Sequence, residues 1–231
     1  MNIQGIAINA DAGLIDGDLE VLGRELDYYR DIGFTHVELS PHGVGAIRGG
    51  VLNQERLREL KTLLARYPFR YAVHGPNPLN LMNADPDTLD RPAFIASLEF
   101  TAALDAEVMV YHAGRYLAEE DFLLSPQPYP HEEDFLLSPQ PYPHAEKREV
   151  LWEREKALLY QMGEIAARHG VTIAVENARP YLNAPGYCYG ESLVLLARMI
   201  REVGHCSVGA TLDIGHAYLA ARRYGWNLYD G

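Results

Sequence analysis

Five residues carry the chemistry this sequence offers. Glu38, His74, His112, Glu176 and Asp213 each stand at or just past the end of a short apolar run. Brought to one place, two imidazoles and several carboxylates make a donor set for a divalent cation, better suited to Zn²⁺, Mn²⁺ or Fe²⁺ than to Ca²⁺. Their successive separations are 36, 38, 64 and 37 residues. The outlier has a visible cause: residues 119–131, EEDFLLSPQPYPH, recur identically as residues 132–144, and without that 26-residue block the separation falls to 38. The chain therefore reads as a row of similar units, each setting a polar side chain at a strand end. Strands lie about 4.8 Å apart, so His74, His112 and Glu176 on neighbouring strands are expected to converge on one ion, with Asp213 extending the arc.

Six apolar runs read as the buried strands that hold these residues: Ile3–Ile8, Thr35–Leu39, Phe69–Val73, Val108–Tyr111, Val171–Val175 and Val208–Leu212. Between them apolar residues recur at helical spacing, as in Leu19, Leu22, Leu26 and Tyr29, in Leu57, Leu60 and Leu64, and in Leu151, Leu158, Met162 and Ile165. Gly33 and Gly170 sit where helices end before a following strand. Repeated β-then-α order calls for a parallel sheet, and the fold expected is an α/β (β/α)8 TIM barrel whose sites lie at the carboxyl ends of its strands. A seventh strand end at the same spacing falls beyond Gly231, so residues 1–231 are expected to form a single domain of about six units, with the C-terminal units missing. The proline-rich duplication at 119–144 is expected to be a top-face loop, either a slip in the gene or a lid over the site.

Composition narrows the partners. The 231 residues are 48% apolar and 23% charged with a formal net charge of −12, an ordinary globular balance whose surface repels phosphate backbones and anionic membranes. No stretch approaches the roughly 20 apolar residues of a membrane span, and the start lacks the basic and apolar regions of a signal peptide. Cys188 and Cys206 form no metal-type pair. The expected location is the cytoplasm, with neither membrane nor nucleic acid as a partner.

Four segments carry a resemblance. His74-Gly75-Pro76-Asn77-Pro78-Leu79-Asn80-Leu81, Tyr111-His112-Ala113-Gly114, Val175-Glu176-Asn177 and Leu212-Asp213-Ile214-Gly215-His216-Ala217 follow Thr35-His36-Val37-Glu38-Leu39. In that order they resemble the strand-end motifs of the xylose isomerase-like superfamily, which includes sugar phosphate isomerases and epimerases and the endonuclease IV-type apurinic endonucleases. In the isomerase branch the resemblance implies that Glu176 and Asp213 hold a divalent metal ion (Mn, Zn, Mg or Co), with His216 near the substrate. A His from a seventh strand and a Glu from an eighth complete the family's site. It further implies proton transfer beside a metal-polarised carbonyl of a sugar or sugar phosphate, with Glu176 and His216 catalytic. In the endonuclease branch, His74, His112, Glu176, Asp213 and His216 would all bind zinc.

Other side chains have a functional and a plainer reading. Glu38 is expected either to contact a substrate hydroxyl or to seal the barrel. Arg179 either grips a phosphate or carboxylate or forms a surface ion pair. Asn80 and Asn177 stand in top loops where they orient ligands or substrate, and with Glu38, His74 and Arg179 they complete the candidate substrate contacts. Tyr181, Tyr187 and Tyr189 either stack on a sugar ring or pack locally. Three readings follow. The first is a metal-dependent sugar or sugar-phosphate isomerase or epimerase, favoured by Gly75-Pro76-Asn77-Pro78 after His74 and by Ile214-Gly215 after Asp213. The second is an apurinic endonuclease, and the third an inactive fragment whose open sheet edge pairs with another copy as a homo-oligomer.

Overall fold

The computed structural model describes residues 5–84, 88–116, 145–181 and 186–228. Six parallel strands form one sheet: β1 (Ala7–Asn9), β2 (His36–Leu39), β5 (Arg70–His74), β6 (Val108–His112), β7 (Thr172–Glu176) and β8 (Val208–Thr211), each hydrogen-bonded to the next. They fall on the six apolar runs of the sequence. Between β2 and β5, Ile47–Arg48 (β3) and Val51–Leu52 (β4) make an antiparallel hairpin that the apolar pattern does not reveal. Gly49 and Gly50 supply its turn with φ of 57° and 74°, a region most residues avoid.

The helices are α1 (Ala12–Ile15), α2 (Leu19–Ile32), α3 (Gln54–Leu64), α4 (Asp90–Ala103), α5 (Ala145–His169), α6 (Leu193–Val203) and α7 (Ile214–Tyr224). Leu22, Leu26 and Tyr29 of α2 are buried, as are Leu57, Leu60 and Leu64 of α3. The side chain of Asp18 accepts from two amides at the start of α2, and Gly33, at φ 93°, closes its other end. Helix α4 had no readable stripe because it buries more than one face: Phe94, Ala96, Ser97, Leu98, Phe100 and Thr101 are all enclosed. Its two buried hydroxyls donate back to carbonyls one turn earlier, Ser97 to Ala93 and Thr101 to Ser97, each at 2.7 Å.

The core lies between the sheet and these helices. Val37, Leu39, Val73, Met109, Tyr111, Ile173 and Val175 point from the strands toward the helices and are essentially inaccessible. Burying each aliphatic side chain of this size contributes about 1.5–3 kcal/mol. Because side chains alternate along a strand, this leaves the opposite face for the residues between them. Asn9 pairs in register with Glu38, and Glu38 with Ala72, two residues before His74. His74 pairs with Val110, two before His112; His112 pairs with Glu176, and Glu176 with Thr211, two before Asp213. Every step is zero or two residues. The parity is preserved, and the polar strand ends climb together along the staggered sheet on its inner side. The duplicated segment 119–144 lies outside the described residues.

Candidate active site

At the carboxyl ends of the strands a cavity of about 810 Å³ is lined by residues from the first five strands of the sheet and from the start of α7, including Asn9, Glu38, His74, His112, Glu176, Asp213 and His216. Glu176 lies at its centre. Its Oε2 is 3.2 Å from His112 Nε2 and 3.6 Å from His74 Nε2, and its Oε1 faces His216 Nδ1 at 3.8 Å. The His74 and His112 rings meet edge to face with centroids 4.7 Å apart. His74, His112 and Glu176 each bring one donor atom within 4.8 Å of the others, and so do Glu176, Asp213 and His216.

The donor chemistry fits a cation. Glu176 Oε2 is buried and accepts no hydrogen bond. His74 Nδ1 lies 2.8 Å from the Gly75 carbonyl; its proton belongs there, which leaves the lone pair on Nε2 facing Glu176. Lone pairs converging without a donor repel one another unless a cation or a proton stands between them. The ionisation equilibria reflect this. Burial alone raises the Glu176 carboxyl, but the His112 and His74 imidazoles beside it favour its charged form more strongly and bring it to about 2. Burial lowers His74, yet Glu176, Glu38 and the Gly75 carbonyl together hold it above its ordinary value.

Asp213 and His216 are placed by local folding rules. Asp213 caps α7, its Oδ1 accepting the His216 amide at 2.7 Å, which leaves Oδ2 3.8 Å from His216 Nδ1. Asn177 ties this start to β7: its Nδ2 donates to the Asp213 carbonyl at 2.9 Å and its Oδ1 accepts the Asp213 amide at 2.6 Å. His216 Nδ1 sits 3.0 Å from the Asn177 carbonyl, so its proton is directed there and Nε2 keeps a lone pair. Asn177 is 1% exposed, and it orients two site residues from beneath rather than lining the cavity.

The remaining candidates divide. Glu38 lines the cavity and accepts from Asn9 Nδ2 at 2.5 Å. Arg179 lines it too, with its guanidinium 5.1 Å from the centroid of the Tyr181 ring. Asn80 does not: it is buried, exchanging hydrogen bonds with the backbone of Arg115 at 2.9 and 3.0 Å. Tyr181 and Tyr187 pack edge to face along the wall, whereas Tyr189 is fully buried behind it. The strand-end pattern also missed lining residues. Asn9 follows the first strand as Glu38 ends the second, so the same logic extended by one strand finds it. Asp11, Ser40, His42, Asn77 and Arg115 stand on the loops, where no period marks them. Arg115 donates to the carbonyls of Asn77 and Pro78 at 3.0 and 2.6 Å and stiffens the loop after His74.

Comparisons with known proteins agree with this architecture. A family model described as a xylose isomerase-like TIM barrel matches residues 26–229. No curated protein sequence matches the chain. Among solved structures, a D-tagatose 3-epimerase-like protein is 18% identical with a TM-score of 0.66, over 98% of this chain and 69% of the other. D-psicose 3-epimerase with D-tagatose from Clostridium cellulolyticum H10 is 15% identical with a TM-score of 0.60, over 92% and 64%. For 3-keto-D-glucoside 4-epimerase from E. coli the values are 14% and 0.63, over 94% and 73%. The chain thus spans about two thirds of the length of the structures it matches, and the likeness at this identity is one of fold. Since the family model extends from within α2 to beyond α7, the chain belongs to the xylose isomerase-like TIM barrel family.

Proposed function

We propose that this site serves a metal-dependent isomerase or epimerase acting on a sugar or sugar phosphate. The observation that carries the reading is the buried Glu176 oxygen, without a hydrogen bond, facing two imidazole nitrogens at 3.2 and 3.6 Å. Glu176, His74, His112 and Asp213 would hold a divalent ion; the donor set suits Mn²⁺, Zn²⁺ or Co²⁺, with Mg²⁺ less favoured by the imidazoles. When bound, the ion supplies Lewis-acid polarisation of a carbonyl and its neighbouring hydroxyl. The chain's own residues do the rest. Glu176 stays ionised across the working range, which suits it first to holding a cation and then to receiving the carbon-bound proton made acidic beside that carbonyl. His216, its Nδ1 committed to the Asn177 carbonyl, presents Nε2 as acceptor for a substrate hydroxyl or as relay for its proton. Glu38 with Asn9, and Arg179 across the cavity, provide donors and acceptors for the remaining hydroxyls or a terminal phosphate. The epimerase names borne by the matched structures support this choice of chemistry.

A second reading is the apurinic endonuclease, in which the His216 Nε2, left with its lone pair by the Nδ1 bond to the Asn177 carbonyl, would be a further zinc ligand. Elemental mass spectrometry of the purified chain tests both. About one ion per chain, lost in Glu176→Ala and kept in Arg179→Ala, is the expected result. Equal occupancy in the two variants removes the assignment, and two or three ions per chain with salt-sensitive DNA binding would favour the nuclease.

A further inference from the structure

Glu155, on α5, is a carboxyl with no solvent exposure in the core behind the site. Burying such a group costs several kcal/mol unless it is well paired, and an apolar residue of its volume fills the same space at no such cost. Its partners explain its presence. Oε1 accepts the Gly114 amide at 3.2 Å and the Tyr189 hydroxyl at 3.1 Å, and Oε2 accepts the Tyr111 hydroxyl at 3.5 Å. Tyr111 precedes His112 by one residue and Gly114 follows it by two, so the carboxyl grips the chain on both sides of that histidine. Gly114 is shaped for the contact: a Cβ there would stand 2.6–2.8 Å from the carboxyl atoms. The same turn is fastened by Ala113 N to Glu176 O at 3.2 Å and by Cys188 Sγ to Ala113 O at 3.1 Å.

We propose that Glu155 is a positioning residue: from the helix side of the sheet, through Tyr111 and the Gly114 amide, it fixes where the His112 imidazole stands against Glu176. The proposal rests on the reading of His112 as a metal ligand. Tyr111 and His112 point to opposite faces of β6, which keeps Glu155 out of the cavity and away from any substrate. Burial also pushes the carboxyl up to about 7 against the hydrogen bonds of Tyr189, Tyr111 and Gly114, so both of its forms are present near neutrality. The protonated form still accepts at one oxygen, and glutamine reproduces it.

The test compares Glu155→Gln and Glu155→Leu with the parent, reading the imidazole resonances of His112 and His205 and the affinity for Mn²⁺. His205, bonded to Glu164 at 3.0 Å, serves as an internal reference. Leucine keeps the core filled, so a merely structural residue would leave the His112 signal and the metal affinity untouched. The expected result is a displaced His112 resonance, an unmoved His205, and Mn²⁺ affinity lower by about tenfold or more in Glu155→Leu. Glu155→Gln should stay within about threefold of the parent, on the scale of that same effect. A folded Leu variant with parental His112 shifts and affinity overturns the proposal. Should Glu155→Leu not fold, Gly114→Ala replaces it, its Cβ forcing the carboxyl off the amide; parental His112 shifts there overturn the proposal equally. If the parent binds no Mn²⁺, the metal reading of the site falls, while the His112 resonance still decides the role of Glu155.

Discussion

At the scale of single residues, the site depends on groups whose two ends do different jobs. Asp213 uses one carboxylate oxygen to cap α7 and keeps the other toward His216 and the cavity. Asparagine caps a helix about as well as aspartate but carries no charge. Asp213→Asn is therefore expected to leave unfolding within about 0.5 kcal/mol of the parent in metal-free urea titrations. Its Mn²⁺ affinity in calorimetry should drop by about tenfold or more, since a neutral amide is a poorer ligand. A parallel loss of stability would mean that capping, not charge, is what Asp213 contributes. Glu176 shows the same economy, with Oε2 facing His112 and His74 and Oε1 facing His216, which is why its removal should empty the site.

At the scale of elements, each β-to-α unit is terminated by local chemistry that keeps the strand ends aligned. Gly33 ends α2 at φ 93°, and a Cβ built there meets nothing within 4 Å. Any cost of Gly33→Ala is then backbone strain alone, about 1–2 kcal/mol in urea unfolding. A neutral substitution would show that the turn into β2 relaxes to another conformation. The loop after β5 relies instead on Asn80 and Arg115, which exchange backbone hydrogen bonds and hold Asn77 at the cavity wall. Asn80 thus acts on the site through the loop rather than by touching a substrate.

At the scale of the whole molecule, stability and pH are linked through a core that contains a carboxyl. The folded chain holds the Glu155 proton to about pH 7, whereas a solvated glutamate carboxyl loses it near 4.5. Between these values the folded state binds more protons than the unfolded one, so this group's contribution is complete below 4.5 and is lost as pH rises through 7. The loss amounts to about 3 kcal/mol. Glu176, with its carboxyl lowered to about 2, acts in the opposite sense: its contribution is present above 4.5 and is lost as pH falls toward 2. The difference between Glu155→Gln and the parent isolates the first effect. The variant should gain on the order of 3 kcal/mol relative to the parent between pH 4.5 and 8 in chemical denaturation. A pH-independent difference would place the folded-state titration of Glu155 near its unfolded value.

The sequence by itself determined the six strands and the residues at their ends, because a strand buried on both faces must be apolar along its length and a polar residue marks where it emerges. Equal spacing then made Glu38, His74, His112, Glu176 and Asp213 legible as one set. It did not reveal α4, whose apolar residues surround the helix and leave no stripe, nor the β3–β4 hairpin, which rests on two glycines. Only the tertiary structure separated residues that line the cavity from those that support it. Asn80, Asn177 and Tyr189 carry the same polar groups as Asn9, Asn77 and Tyr181, and what distinguishes them is which side of the chain their hydrogen bonds lie on. Glu155 was the least legible of all. In a helix otherwise read by its apolar period, one more glutamate looks like a solvated face until the fold turns it inward onto Gly114.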